Sequence, residues 1–365
     1  MREPTGHAST HLDLEIAQID AFTDTVFGGN PAAVVHLSEW PSDETLQAIA
    51  TENNLSETAF LVGRIPDDAP AAPSNSPAHH LRWFTPTVEI ELCGHATLAA
   101  AAHLFAALDA GCGGFGACDG DDSLDDDPSA SPDRLDFWTM SGWLSVTRTR
   151  GECGDGATGR AAAPDLFTLD FPADPPSPLD ADSPALSAEA KTDIEMSAGG
   201  KVSPMTTDPV VMAGRLRTTI ADALGIDAAS ITDMLSGRTM LLVVVDSPEL
   251  IRPLSPDFPA VARIARHGII VTADATGVTD GDDAGHDIVS RYFAPGIGID
   301  EDPVTGAAHC VLGLFWFAEL GRDRLTAHQA SARGGLLHLE AADERIKISG
   351  NAVRYMSGTI RIPPR

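Results

Sequence analysis

Lysine is nearly missing from this chain. Lys191, Lys201 and Lys347 are the only three among 24 basic residues, and the other 21 are arginine. Against 53 acidic residues this leaves a formal net charge of −29. That balance excludes the phosphate neutralisation behind non-specific nucleic-acid binding. It also argues against an anionic membrane surface as partner. The acidity itself reads as a solvated surface or as acidic loops. No run reaches the ~18 consecutive apolar residues of a membrane-spanning helix. The N-terminal MREPTGHASTHLDLE lacks the apolar core of a secretory signal. Cysteine is sparse: Cys93, Cys112, Cys118, Cys153 and Cys310 are an odd number in a long chain. They read as reduced thiols, which implies a cytoplasmic setting rather than a disulfide scaffold. No Cys/His set has zinc spacing, so no metal is expected. Neither a GxxxxGK[ST] loop nor a GxGxxG after a strand is present, so no nucleotide cofactor is expected.

Hydrophobic residues make up 43% of the 365, enough for a sizeable core in two or three domains. Residues 1–11 read as a disordered tail. Leu12 to Phe22 alternates as a strand does, and Ala32–Leu37 is a short apolar strand. Ser42 is a helix N-cap followed by Asp43 and Glu44, with Leu46, Ile49 and Ala50 on one apolar face. His80–Phe84 is a strand, and Thr97–Leu108 is apolar all round, the mark of a helix buried on every side. The second half repeats this order. It has helices near 209–224 and 257–267, strands at 240–246, 268–272 and 291–293, and an apolar helix near 305–320. Three stretches, 109–133, 173–207 and 273–287, are rich in Asp, Gly, Ser and Pro and read as inserted surface loops. The expected fold is α+β, with two pseudo-symmetric halves, each a curved sheet around a central apolar helix. The expected domains are 12–148 and 149–365, with the last strand able to return to the first.

Self-similarity sharpens this picture. Phe84-Thr-Pro86 is followed, after six residues, by Cys93; Phe293-Ala-Pro295 is followed, after six, by Asp302. Each proline has an acidic residue five positions on, Glu91 and Asp300. On this ungapped alignment Cys93 and Asp302 are counterparts, each just before a buried helix whose free N–H groups bind anions. Two such ends on one cleft would hold a substrate carboxylate and suit proton transfer at a neighbouring carbon, with no cofactor.

The chain resembles the phenazine-biosynthesis F (PhzF-like) isomerase family, whose fold is that of diaminopimelate epimerase. The motifs that carry the resemblance are DAFTDTVFGGNPAAVV (20–35), NNLSETAFL (53–61), RWFTP (82–86), ELCGHATLAAA (91–101), RYFAPGIGIDEDPVTGAAHCVLG (291–313), QASARGG (329–335) and ISGNAV (348–353). The resemblance implies two epimerase-like halves with the active site between them, no cofactor, and commonly a homodimer. It also implies an isomerase acting on a small carboxylic acid. The best-known family reaction moves a hydrogen along a conjugated diene of a hydroxylated dihydro-anthranilic acid.

By the same resemblance, Glu57 in Asn54-Leu55-Ser56-Glu57 takes a proton from one carbon and returns it to another. On residue type alone it could equally be a solvated carboxylate at a strand start. His95 after Gly94 binds or polarises the substrate, or else is a buried histidine bonded to backbone. Its place at a helix start favours the neutral imidazole. Asp302 hydrogen-bonds substrate polar groups and helps the proton shuttle, or caps the helix of 303–320. Thr305 and Gly306 continue its motif and line the substrate site. Ala307 stands where family members carry serine, which removes one hydroxyl contact. Asn30, in the Gly28-Gly29-Asn30-Pro31 turn, lines the cleft. Cys93 is either a substrate-contacting or reactive thiol, or a small apolar residue packed under its loop. The preferred reading is thus a cofactor-independent isomerase. A two-base racemase or epimerase using Cys93 and a catalytically idle binding protein are the alternatives. Arg333, with Gly334 and Gly335, reads as a loop with no chemistry assigned.

Overall fold

Strands and helices follow the sequence pattern closely, and they separate into two units. The structure, a computed structural model, describes residues 11–110, 132–151, 163–180, 182–192 and 209–363. One unit comprises 1–27, 31–167 and 351–365; the other comprises 28–30 and 168–350.

The first unit holds β1 (Leu12–Ala21), β2 (Asn30–Leu37), β3 (Glu57–Val62), β4 (Ala78–Phe84), β5 (Glu89–Ile90), β6 (Arg134–Thr139), β7 (Gly142–Thr149) and the C-terminal strand β17 (Ala352–Ile362). β17 pairs antiparallel with β1, which neighbours β2. β2 and β3 are parallel, β3 and β4 antiparallel, β4 and β6 parallel, β6 and β7 antiparallel. Helix α1 (Asp43–Asn53) connects β2 to β3. Ser42 is its N-cap, its Oγ accepting from the Thr45 N–H, and Asn54 closes it in the left-handed region at φ 49°. Leu46, Ile49 and Ala50 pack on Val35, Leu37, Phe60 and Phe84. Burying Leu46 and Ile49 removes two large side chains from water, each worth about 1.5–3 kcal/mol. Helix α2 (Gly94–Asp109) packs against β1, β3, β7 and β17. Its first eight residues, together with Leu104 and Phe105, are all buried.

β8 (Leu166–Pro172) leads into the second unit, which continues with β9 (Ser177–Pro178), α3 (Pro209–Leu224), β10 (Ile231–Ser236), β11 (Leu241–Val245), α4 (Phe258–Ile264), β12 (Ile269–Asp274), β13 (Ile288–Phe293), α5 (Gly306–Leu320), β14 (Arg324–Gln329), β15 (Gly335–Ala342) and β16 (Arg345–Gly350). β11 and β12 are parallel, β12 and β13 antiparallel, β13 and β14 parallel, β14 and β15 antiparallel. This is the same alternation as β2, β3, β4, β6 and β7 in the first unit, so the duplication holds at the level of strand pairing. Ile220 and Leu224 of α3 and Val261 and Ile264 of α4 share a core with Leu241, Val243, Ile269 and Val271. Helix α5 is buried over most of its length. Gly313 permits its close approach to β16: a Cβ there would stand 2.3 Å from Ile346 Cδ1.

Three expectations need correcting. The unit boundary falls at 167/168, not 148/149, because Arg148 at the end of β7 is held by Asp109 and the Phe167 ring stacks on Phe105, both in the first unit. The stretch 273–287 is a surface loop over much of its length, with 276, 277, 279–282 and 285 exposed, but it begins inside β12 and is anchored: Ala273 and Ala275 are buried, and Asp283 is clamped by Arg252 and His328. Within 173–207, Asp174, Ala185 and Leu186 are buried; 193–207 lies outside the described residues, as do 111–131 and 1–10.

Candidate active site

The loops that enter α2 and α5 share more than Phe-x-Pro. Arg82, two residues before Phe84, makes a bidentate pair with Glu89, at 2.6 and 2.7 Å. Arg291, two before Phe293, does the same with Glu301, at 2.7 and 2.8 Å. Each guanidinium also lies over its own phenylalanine ring, at 5.2 and 4.8 Å. Four residues after each glutamate comes the extended residue that precedes the helix: Cys93 before Gly94, and Thr305 before Gly306. The carbonyl of that residue accepts from the side chain four positions on, Thr97 Oγ1 at 2.5 Å and His309 Nδ1 at 2.8 Å. The counterpart of Cys93 is therefore Thr305. Asp302 sits three residues upstream, in a loop that is longer in the second half. This corrects the ungapped alignment. It also removes Asp302 as the helix N-cap, since the capping position belongs to Thr305.

In the first unit, Glu57 is the first residue of β3, in register with Ala32 of β2. His95 is the second residue of α2. Glu57 is 6% exposed and His95 3%, and Glu57 Oε2 lies 3.0 Å from His95 Nε2. Cys93 Sγ lies 3.5 Å from His95 Nδ1. The imidazole is thus flanked by a thiol on one ring nitrogen and a carboxylate on the other. Burial pushes the His95 pKa down, but Cys93 and the Glu57 carboxylate more than offset it, and the pKa is raised well above the usual histidine value. This direction runs against the neutral imidazole expected at a helix start: Cys93 and the Glu57 carboxylate at contact distance outweigh the helix dipole. Burial, with help from the Glu57 charge, pushes the Cys93 thiol up to about 11.

Glu57, Cys93 and His95 are also the one set of metal-ligating side chains found together among the described residues, with donor atoms within 4.8 Å of one another. The contacts as they stand use opposite nitrogens of the imidazole.

In the second unit, Asp302 is buried and its carboxylate is held at both oxygens. Asn30 Nδ2 donates to Oδ1 at 2.7 Å and to the Val304 carbonyl at 2.9 Å, while Thr305 Oγ1 donates to Oδ2 at 2.5 Å. Gln329, fully buried at the end of β14, completes the loop. Its Oε1 accepts from Thr305 N at 2.8 Å and its Nε2 donates to the Asp302 carbonyl at 2.7 Å. Gln329 escaped the sequence reading; its position at the head of QASARGG was the available signal. Gly94 and Gly306, the first residues of the two buried helices, are themselves buried. A wide apolar groove of about 840 Å³ lies elsewhere in the first unit, lined by Leu14, Leu37, Ile49 and Ile360, and contains none of the residues above.

Comparison with known proteins places these features. The sequence profile described as "Phenazine biosynthesis-like protein" matches residues 19–114 and 184–358. This chain belongs to the PhzC-PhzF family. Two Pseudomonas aeruginosa proteins named as uncharacterized isomerases are 37% and 39% identical to it, each over 96% of this chain and 100% of their own. The crystal structure of an Enterococcus faecalis PhzF-family protein superposes with a TM-score of 0.66 at 31% identity, over 96% of this chain and 99% of that one. A predicted epimerase of Pseudomonas aeruginosa shares the fold, with a TM-score of 0.59 at 18% identity over 95% and 99%. The expected α+β fold of two epimerase-like halves is the fold of this PhzC-PhzF protein.

Proposed function

We propose that this PhzC-PhzF protein is an isomerase that moves a hydrogen between carbons of a small unsaturated or amino-acid-like carboxylic acid. The observation that carries the reading is the buried contact of Glu57 with His95 at the start of α2. The carboxylate removes a proton from carbon and, now neutral, returns it at another carbon of the same molecule. His95, with one ring nitrogen on the Glu57 carboxylate and the other on Cys93, sets positive charge beside the negative charge that gathers on the substrate. The N–H groups of Gly94 and of the first α2 turn receive the substrate carboxylate. Asp302, with Thr305 and Gly306, is assigned to hydrogen bonds with substrate polar groups on the strength of the family motif they form. Protein acids and bases suffice for such a transfer, so we assign no cofactor, and we assign a homodimer in a reducing cytoplasm. Two relatives that bear the name isomerase support the class of reaction.

The test is incubation of a small-molecule extract in D₂O with the protein and with Glu57→Gln. Wild type should convert one species into another of equal composition carrying one deuterium or retaining the transferred hydrogen; Glu57→Gln should not. Failure of wild type to interconvert any pair of equal composition would overturn the proposal.

A further inference from the structure

Arg333 donates from Nε to the Gly29 carbonyl at 2.8 Å and from Nη2 to the Gly28 carbonyl at 2.7 Å. The Gly29 N–H returns a bond to the Gly334 carbonyl at 2.7 Å. Gly334 itself is in the left-handed region at φ 65°, and a Cβ on it would come within 3.3 Å of His328 Nε2. Two consecutive glycines, the residues with the greatest freedom to lose on ordering, have both carbonyls gripped by one planar fork. The next residue is Asn30, whose single amide reaches both the Asp302 carboxylate and the Val304 carbonyl. All of these groups belong to the second unit.

We infer that Arg333 is a positioning residue for Asp302, acting through the Gly28–Gly29 backbone and the Asn30 amide. A guanidinium presents two parallel N–H bonds in fixed geometry, which a lysine ammonium does not. Losing the fork releases the glycine pair, and Asn30 then no longer meets both acceptors at once. The inference rests on the proposed role of Asp302 for its effect on catalysis, but the clamp itself is read without any substrate.

The chain has five asparagines, Asn30, Asn53, Asn54, Asn75 and Asn351, so selective ¹⁵N-asparagine labelling yields few side-chain NH₂ signals. Asn30→Asp assigns the signal of interest by deleting it. In Arg333→Lys the Asn30 NH₂ should shift, and its hydrogen exchange should quicken at least ~10-fold, the factor equivalent to about 1.4 kcal/mol. The other four signals should stay in place. In Arg333→Ala, added methylguanidinium should restore the wild-type signal. An unmoved Asn30 signal in Arg333→Lys overturns the inference, and so does an equal disturbance of all five, which would mean general loosening. Once a substrate is in hand, Arg333→Lys should raise KM more than it lowers kcat. A normal KM with the Asn30 signal displaced would also overturn the inference. Failure of the isomerase reading leaves the NMR result standing and is thereby distinguished.

Discussion

Glu57 Oε2 lies 3.0 Å from His95 Nε2, with the two side chains 8% and 4% exposed. One comes from the start of a strand and the other from the start of the helix beside it, so backbone elements and not long flexible side chains set the distance.

The first expectation follows from that pair. Glu57→Gln keeps shape and hydrogen bonding but cannot accept a proton. Turnover should fall by ~10²–10⁴, the usual contribution of a general base. Circular dichroism and the melting temperature should stay close to wild type. Wild-type turnover in the variant would place the acid/base group elsewhere.

Cys93 separates the isomerase from a two-base epimerase. Burial pushes the Cys93 thiol up to about 11, so we expect Cys93 to be dispensable as a second base. Cys93→Ala should retain turnover within about tenfold, beyond which a general acid/base role begins. A loss of ~10³ or more, with the variant still folded, would favour the epimerase.

Acid should destabilise the protein in a window set by buried histidines. Burial pushes His79, His103 and His309 down to about 4, with nearby Arg354 and His36 adding to the shift of His103 and His36 to that of His79. Unfolded, each titrates near 6.5, so the unfolded chain binds more protons between those values. Stability should therefore be full above about 6.5 and fall as pH drops toward 4, by up to about 1.4 kcal/mol per pH unit for each histidine. Urea midpoints measured from pH 7 to pH 4.5 check this. His79→Gln should flatten the slope, and an unchanged slope would remove His79 from the account.

Gly268 precedes β12 at φ 135°, and a Cβ there would stand 2.4 Å from the Phe293 carbonyl oxygen and 2.9 Å from Ala294 Cα. Backbone cannot yield as a side-chain tip can. Gly268→Ala should cost at least ~1–3 kcal/mol, the range for a strained backbone conformation. It should also disturb the turn after β13. An unchanged melting temperature would contradict the contact.

Periodicity and capping chemistry in the amino-acid sequence sufficed to place α1 with its Ser42 cap, the buried helices and most strands. These signals are local, repeating every two or 3.6 residues. The motifs around Glu57, Gly94-His95 and Asp302-Thr305-Gly306 were equally legible and pointed to the family. Tertiary structure decided the rest. Cys93 pairs with Thr305 in the duplication, and not with Asp302, because the second loop carries extra residues that an ungapped comparison cannot see; the paired arginines and glutamates reveal it. The His95 pKa is raised, against what its helix-start position in the sequence implied, because the fold sets Cys93 and the Glu57 carboxylate of β3 against its ring. Asn30 and Gln329 hold Asp302 across 272 and 27 residues of chain. Such contacts leave no period in the sequence, since hydrogen bonds between distant residues depend on where the folded backbone brings their ends.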